Sequence, residues 1–214
     1  MDFPSLIEAL RDALDQPLPG YSAHLKMSSM QRIREMMKVP ADLKKAIPSS
    51  VLILLYPLAS GNDAGIVLIQ RPFYEGVHGG QISLPGGRFE DSDADLLQTA
   101  IRESKEEIGL DPGILTILGK VSDLYIPPSN YIVTPFLGYC MEKPSFWPDP
   151  AEVDGIIEIP VTKLLDDHHI GCRVITVRGM QIEAPCFEIN GHIIWGATAM
   201  ILNELKVILK GLSL

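Results

Sequence analysis

Cysteine is scarce: Cys140, Cys172 and Cys186 are the only three in 214 residues. An odd, scattered set supplies neither a disulfide framework nor the paired spacing of a zinc ribbon, and it fits a reducing compartment. Positive charge is also short, with 18 Lys and Arg against 27 Asp and Glu and a formal net charge of -9. That balance argues against bulk electrostatic binding to nucleic acid. It also means that an anionic substrate must be drawn in by a metal ion or by a few local arginines. No hydrophobic run reaches membrane-spanning length. The stretch 1–14, MDFPSLIEALRDAL, is acidic and amphipathic and has no basic n-region, so neither secretion nor membrane insertion is expected, and the cytoplasm is the expected location. No internal repeat or low-complexity segment occurs. At this length one domain with a sizeable core is the expectation.

What is present concentrates in residues 81–110, QISLPGGRFEDSDADLLQTAIRESKEEIGL. A short strand runs into Pro85-Gly86-Gly87 and then into a helix. Leu97, Ala100, Ile101, Ser104 and Ile108 recur at helical spacing on one face, and Glu103, Glu106 and Glu107 are expected on the other. Asp91, Ser92 and Asp93 are candidate caps, and Gly109 with Pro112 closes the helix. Carboxylates at i, i+3 and i+4 repel one another unless a cation sits between them. A hard divalent ion such as Mg²⁺ or Mn²⁺ suits such oxygens, and glycine at Gly87 lets a backbone carbonyl approach the same ion. The competing reading is a solvated acidic face with Lys105 interleaved. Arg102 can pair with Glu106 at i+4 and orient it.

The same residues resemble the Nudix box, G-x5-E-x7-R-E-U-x-E-E-x-G-U: Gly87, then Arg102-Glu103, Glu106-Glu107 and Gly109-Leu110 match. Ser104 stands at a hydrophobic position, Gly87 lies one residue too far from Arg102, and Asp93 occupies the place of the first glutamate. This expanded spacing is similar to the coenzyme A diphosphatase branch. So is the stretch before it, Leu68-Ile69-Gln70-Arg71-Pro72 followed by residues 78–87, HGGQISLPGG, although Pro72, Gly76 and Leu84 depart from that branch's motif. Val133-Thr134-Pro135, Glu152-Val153, Ile159-Pro160 and residues 194–199 extend the likeness over about residues 50–205.

The resemblance implies an α/β (α+β) fold, the Nudix-type α/β/α sandwich with a mixed sheet. It divides the chain into an N-terminal helical extension, 1–48, and a Nudix hydrolase domain, 49–214. It implies a shell of Gly87, Glu103, Glu106 and Glu107 around Mg²⁺ or Mn²⁺, with Glu106, Glu107 or Glu152 as the base. Arg71, His78, Gln81 and Arg88 are the substrate-binding candidates. The implied reaction cuts coenzyme A to 4′-phosphopantetheine and 3′,5′-ADP. The alternatives are another nucleoside diphosphate derivative, such as ADP-ribose or a dinucleotide, and a module that senses a nucleotide without cleaving it.

The rest reads as support. Residues 4–14 have a helical pattern that ends at Pro17-Leu18-Pro19-Gly20. Within residues 27–37, Met30, Ile33, Met36 and Met37 form a second helical stripe, read as core or as a homodimer surface, with a flap over the pantetheine arm as the other reading. Residues 50–57 and 65–71 read as a hairpin, 114–124 and 131–141 as further strands, and 172–177 with 180–189 as a hairpin around Arg178-Gly179. A turn at Asn190-Gly191 leads to residues 192–195, and residues 197–209 form the closing helix.

Overall fold

The computed structural model describes residues 2–38, 43–59, 63–72, 80–177 and 179–212. Its centre is β1 (Ile47–Pro57), which pairs in parallel with β7 (Tyr131–Tyr139) and antiparallel with β2 (Ala64–Gln70). β3 (Ile82–Ser83) and β8 (Gly155–Pro160) add to β2, β4 (Gly86–Arg88) adds to β1, and β5 (Thr116–Lys120) and β6 (Leu124–Ile126) add to β7. The sheet is therefore mixed.

β1 reads as a continuous apolar run because both of its faces are covered. Leu52, Leu54 and Tyr56 pack with Ala100 and Ile108 of α4 (Leu96–Ile108). Ile53 and Leu55 face the other core, which is closed by Leu202 and Leu205 of α6 (Gly196–Gly211) and by Phe3, Ile7 and Leu10 of α1 (Phe3–Leu14). The two periods, 2 for the strand and 3.6 for the helices, thus produce helix, sheet and helix in layers. α1 is part of the same core, so the N-terminal stretch is not a loose appendage. α2 (Tyr21–Lys26) docks on α6, where buried Glu204 receives the Gly20 N–H at 2.9 Å and the Ser122 hydroxyl at 2.6 Å and meets His24 Nε2 at 2.8 Å. α3 (Met30–Lys38) follows. A second sheet of β9 (Ile170–Val177), β10 (Met180–Ile189) and β11 (His192–Trp195) comes after the short α5 (Val161–Leu165). Among the described residues no helix is long and apolar enough to cross a membrane.

Three expectations change. The cap of α4 is Asp95, whose side chain accepts from the Gln98 N–H at 2.8 Å, because Asp93 is engaged elsewhere. The stretch 114–124 is not one strand, since β5 stops at Lys120 and β6 begins at Leu124. The methionine stripe is not buried throughout, since Met30 is 65% exposed; the side chains of Met36 and Met37 lie outside the described residues. The expected turns at residues 60–62 and at Arg178 lie outside the described residues.

Candidate metal and diphosphate site

The site forms where β4 meets α4. β4 is pinned to β1 in the register Ser50↔Gly87 and Val51↔Gly86. Gly86 has φ 147, and a Cβ there would lie 2.6 Å from the Val51 Cα, so this position requires glycine. At Gly87 the obstacle is different, because a Cβ would strike the Glu103 carboxylate, with Oε2 at 2.7 Å. Two adjacent glycines therefore let a strand edge and a helical carboxylate approach closely.

Glu107 was expected on the outer face of the helix, yet its side chain is 1% exposed. Its Oε2 accepts from the Gly86 N–H at 2.8 Å and its Oε1 lies 3.2 Å from Arg71 Nη2. Burial pushes its pKa up to about 7; Arg71 and the Gly86 N–H oppose that rise, while Glu103 and Glu152 add to it. Glu103 is shifted upward as well, first by burial, and Arg102 pulls it back. Glu152 comes from a loop that the chain ties to the same place. Trp147 and Asp149 donate their N–H groups to the Ile108 and Glu107 carbonyls at 2.9 and 3.2 Å, and Asp154 donates to Gln70 at 2.8 Å. As a result, oxygens of Glu103, Glu107 and Glu152 lie within 4.8 Å of one another.

Glu106 is outside that group. Its side chain is 51% exposed and its Oε2 is held by Arg102 Nη1 at 2.9 Å, the same nitrogen that holds Glu103 Oε1 at 2.9 Å. The third carboxylate of the group comes from Glu152 instead. The i+4 pairing of Arg102 is present, but the guanidinium does more. Nε and Nη2 also grip the Asp93 carboxylate at 2.9 and 3.1 Å, and Nη2 reaches the Arg88 carbonyl at 3.1 Å. Asp93 is buried and further receives the Glu90 N–H at 3.0 Å and the Thr99 hydroxyl at 2.9 Å, and Arg102 above all holds its pKa well below the usual carboxylate range. Asp93, at the sixth position after Gly87, is thus the buried partner of Arg102. Ser104, at the hydrophobic position, is buried without penalty because its hydroxyl donates to the Ala100 carbonyl at 2.7 Å.

Arg71, expected to bind phosphate, has partners within the protein. Its Nε donates to Ser83 Oγ at 3.1 Å and its Nη2 to the Gly86 carbonyl at 2.9 Å, in addition to the Glu107 contact. It lines the cavity, but these donors hold the site together. Arg88 also lines the cavity and is exposed, and its guanidinium makes no ion pair among the described residues. Gln81 lines the same cavity. His78 lies outside the described residues. The roles of Ser83 and the Gly86 N–H went unseen in the sequence, where no periodicity marks them.

Carboxylates that repel at this range, with a glycine cradle beside them, fit a hard divalent cation: its charge offsets their mutual repulsion, and oxygen is the donor it takes. The cavity that opens beside them measures about 750 Å³. Gly86, Gly87 and Arg88 stand at one end, and Val177, Met180 and Ile182 form an apolar wall supplied by β9 and β10.

Residues 48–176 match the model of the NUDIX domain. The chain is 30% identical over 152 residues to a Photorhabdus laumondii protein named uncharacterized Nudix hydrolase NudL, covering 71% of this chain and 81% of that protein. A Yersinia pestis protein of the same name is also 30% identical over 152 residues, with 76% of it covered. Among solved structures, the MutT protein from Methanosarcina mazei Go1 aligns with a TM-score of 0.49 at 16% identity, over 77% of this chain and 95% of that one. Nudix hydrolases as a family use divalent metal ions, and the carboxylate group described above is of the kind that binds them. The match over residues 48–176 establishes that this chain belongs to the Nudix hydrolase family.

Proposed function

We propose that the chain is a Mg²⁺-dependent diphosphatase, with Mn²⁺ as an alternative ion, that hydrolyses coenzyme A or its derivatives to 3′,5′-ADP and 4′-phosphopantetheine. The observation that carries this reading is the cavity. It is about 750 Å³, has Arg88 and the Gly86-Gly87 backbone at the carboxylate end, and is walled elsewhere by apolar residues such as Val177, Met180 and Ile182. A diphosphate joined to a long, largely aliphatic arm matches that division, since the charged end meets a cation and the arm removes apolar surface from water.

In this reading Glu103, Glu107 and the Gly87 carbonyl would hold the ion, with Glu106 at the exposed rim. The bound ion would neutralise diphosphate oxygens and lower the pKa of the attacking water. Arg71 keeps Glu107 and the Gly86 carbonyl in position, and Arg102 does the same for Glu103 and Glu106. Arg88 binds the diphosphate, where the guanidinium fork matches phosphate oxygens. Glu152, on the exposed loop, accepts the proton of the attacking water at its carboxylate. The cut breaks one P–O bond of the diphosphate bridge, and the water oxygen remains on one of the two phosphate products.

The test is product analysis with coenzyme A in ¹⁸O-labelled water, run beside ADP-ribose at equal Mg²⁺. Release of 3′,5′-ADP and 4′-phosphopantetheine, with label on one of them, supports the reading and identifies the phosphorus attacked. A higher kcat/KM for ADP-ribose would replace it with a different nucleoside diphosphate derivative.

A further inference from the structure

The three-stranded sheet carries an aromatic residue that the diphosphate chemistry leaves unused. Trp195 ends β11 opposite Cys186 of β10. Side chains alternate across a strand, and the two faces of this sheet go to different places. Phe187 and its partner Ile194 lie on one face and are fully buried in the core. Trp195 lies on the other face with Met180, Ile182 and Ala184 of β10, and these four line the large cavity. A second cavity of about 320 Å³ also has Trp195 in its wall, beside Ile175 and Ile193. Trp195 is half-buried and borders both openings.

The ring has no aromatic partner of its own. Among the described residues the ring pairs are Phe3 with Tyr139 and Tyr56 with Phe146, and Lys206 lies over Phe187. The indole N–H of Trp195 makes no hydrogen bond among the described residues, and it is not one of the buried polar atoms left without a partner, so it keeps accessible surface. An unstacked ring with a free polar edge suits a ligand that is flat and apolar on its face and polar at its rim, which describes a nucleobase. A saturated chain uses neither property. Position along the sheet separates the two kinds of wall as well. Met180 pairs with Val177 at the hairpin end, whereas Trp195 stands opposite Cys186, and a strand from Met180 to Cys186 spans about 20 Å. The segment after Trp195 is fixed to the reaction end of the cavity: the Thr198 hydroxyl donates to the Ile82 carbonyl at 3.0 Å, and the next residue, Ser83, accepts from Arg71 Nε at 3.1 Å. We infer that Trp195 is the platform on which the nucleobase of the substrate stacks, with the aliphatic wall at the hairpin end left to the other half of the molecule. Trp195 follows residues 48–176, the part matched by the family model, so this contact is supplied by the chain's own C-terminal segment. Stacking accepts any base, because every base has a π-face; that the base is adenine rests on the coenzyme A reading.

The chain has two tryptophans, and Trp147 is 75% exposed on a loop, so Trp147→Phe leaves Trp195 as the single indole emitter. The full chain in this background, in EDTA, is titrated with 5′-AMP, ribose 5-phosphate and 4′-phosphopantetheine, which share a phosphate and differ in what carries it. 5′-AMP is expected to quench the Trp195 emission and the other two to leave it unchanged. By calorimetry the wild type should bind 5′-AMP about fivefold to a hundredfold more tightly than ribose 5-phosphate, the size of one base on one aromatic ring. Trp195→Ala should bring those two affinities together, and Trp195→Phe should keep most of the gap. In turnover Trp195→Ala should raise KM for coenzyme A more than it lowers kcat, because the stack persists through the reaction. Emission that 5′-AMP leaves unchanged, or an affinity gap that survives Trp195→Ala, would overturn the inference, and so would quenching by 4′-phosphopantetheine equal to or greater than that by 5′-AMP. The fluorescence titration alters nothing at Trp195, so it decides even where Trp195→Ala does not fold. A chain that stacks 5′-AMP on Trp195 but leaves coenzyme A uncut keeps the platform and removes the proposed reaction. Cleavage of coenzyme A with no base-dependent signal keeps the reaction and removes the platform.

Discussion

Replacing Gly87 with alanine puts a methyl group against the Glu103 carboxylate, whose Oε2 lies 2.7 Å from the position Cβ would take. The backbone of Gly87 is not left-handed, so the fold tolerates the change within about 1 kcal/mol, a shift of about 2–4 °C in Tm for a chain of this size. The carboxylate is the part that must move, and it leaves the group formed with Glu107 and Glu152. Weakening the hold on one ligand lowers divalent-ion affinity about 10- to 100-fold. At a Mn²⁺ concentration 100 times the wild-type Kd, the ion stabilises the wild type by about 2.7 kcal/mol, whereas a Kd raised 100-fold leaves about 0.4 kcal/mol. Thermal melts with EDTA and with Mn²⁺ read this directly, together with Mn²⁺ titration followed by electron paramagnetic resonance. Gly86→Ala is the contrast. Its Cβ would meet the Ser50 carbonyl and the Val51 Cα, which are backbone atoms, at a φ of 147, so it destabilises by about 2–5 kcal/mol even in EDTA. A Gly87→Ala protein that keeps the full Mn²⁺ stabilisation would refute the placement of Glu103 in the ion's shell.

Burial raises the pKa of Glu107 to about 7, from the ordinary glutamate value of 4.5. The protonated form is therefore favoured by the metal-free folded state, and about 3 kcal/mol of stability present below pH 4.5 is lost as pH rises through 7. Wild-type melts in EDTA should fall between pH 5 and 8 through this group, and Glu107→Gln should flatten that slope; parallel slopes would count against it. With Mg²⁺ present, Glu107→Gln should lower kcat on the order of 10²-fold or more, and Glu106→Gln by less, because Glu106 stands at the exposed rim; the reverse order in steady-state rates would reassign the shell. Glu152→Gln should keep Mn²⁺ affinity within about tenfold of wild type while reducing kcat more than that, as for a lost general base; an unchanged kcat would leave it a loop acid. His24→Ala strips a partner from buried Glu204 and should cost about 3 kcal/mol, or about 6–12 °C in Tm; a shift under about 2 °C would show that Ser122 and Gly20 suffice.

The sequence by itself determined the elements and the chemistry of the central helix. Apolar spacing at Ala100 and Ile108, the left-handed Gly109 with φ 67, and the run of β1 each follow from local periodicity and backbone preference. The carboxylate-rich box likewise named Glu103 and Glu107 before any contact was visible. What only the tertiary structure decided is which charges meet. Glu107 turns inward because the Gly86 N–H and Arg71 wait there, 21 and 36 residues earlier in the chain, and Glu106 turns outward to Arg102 although both glutamates read alike in sequence. Glu152 joins the group because its loop is hydrogen-bonded to the end of α4. Arg71 binds within the protein before it can bind a phosphate. Local pattern specifies a residue's own helix or strand, but the energy of a charge depends on burial and on partners brought close by the fold, and neither is encoded at fixed spacing.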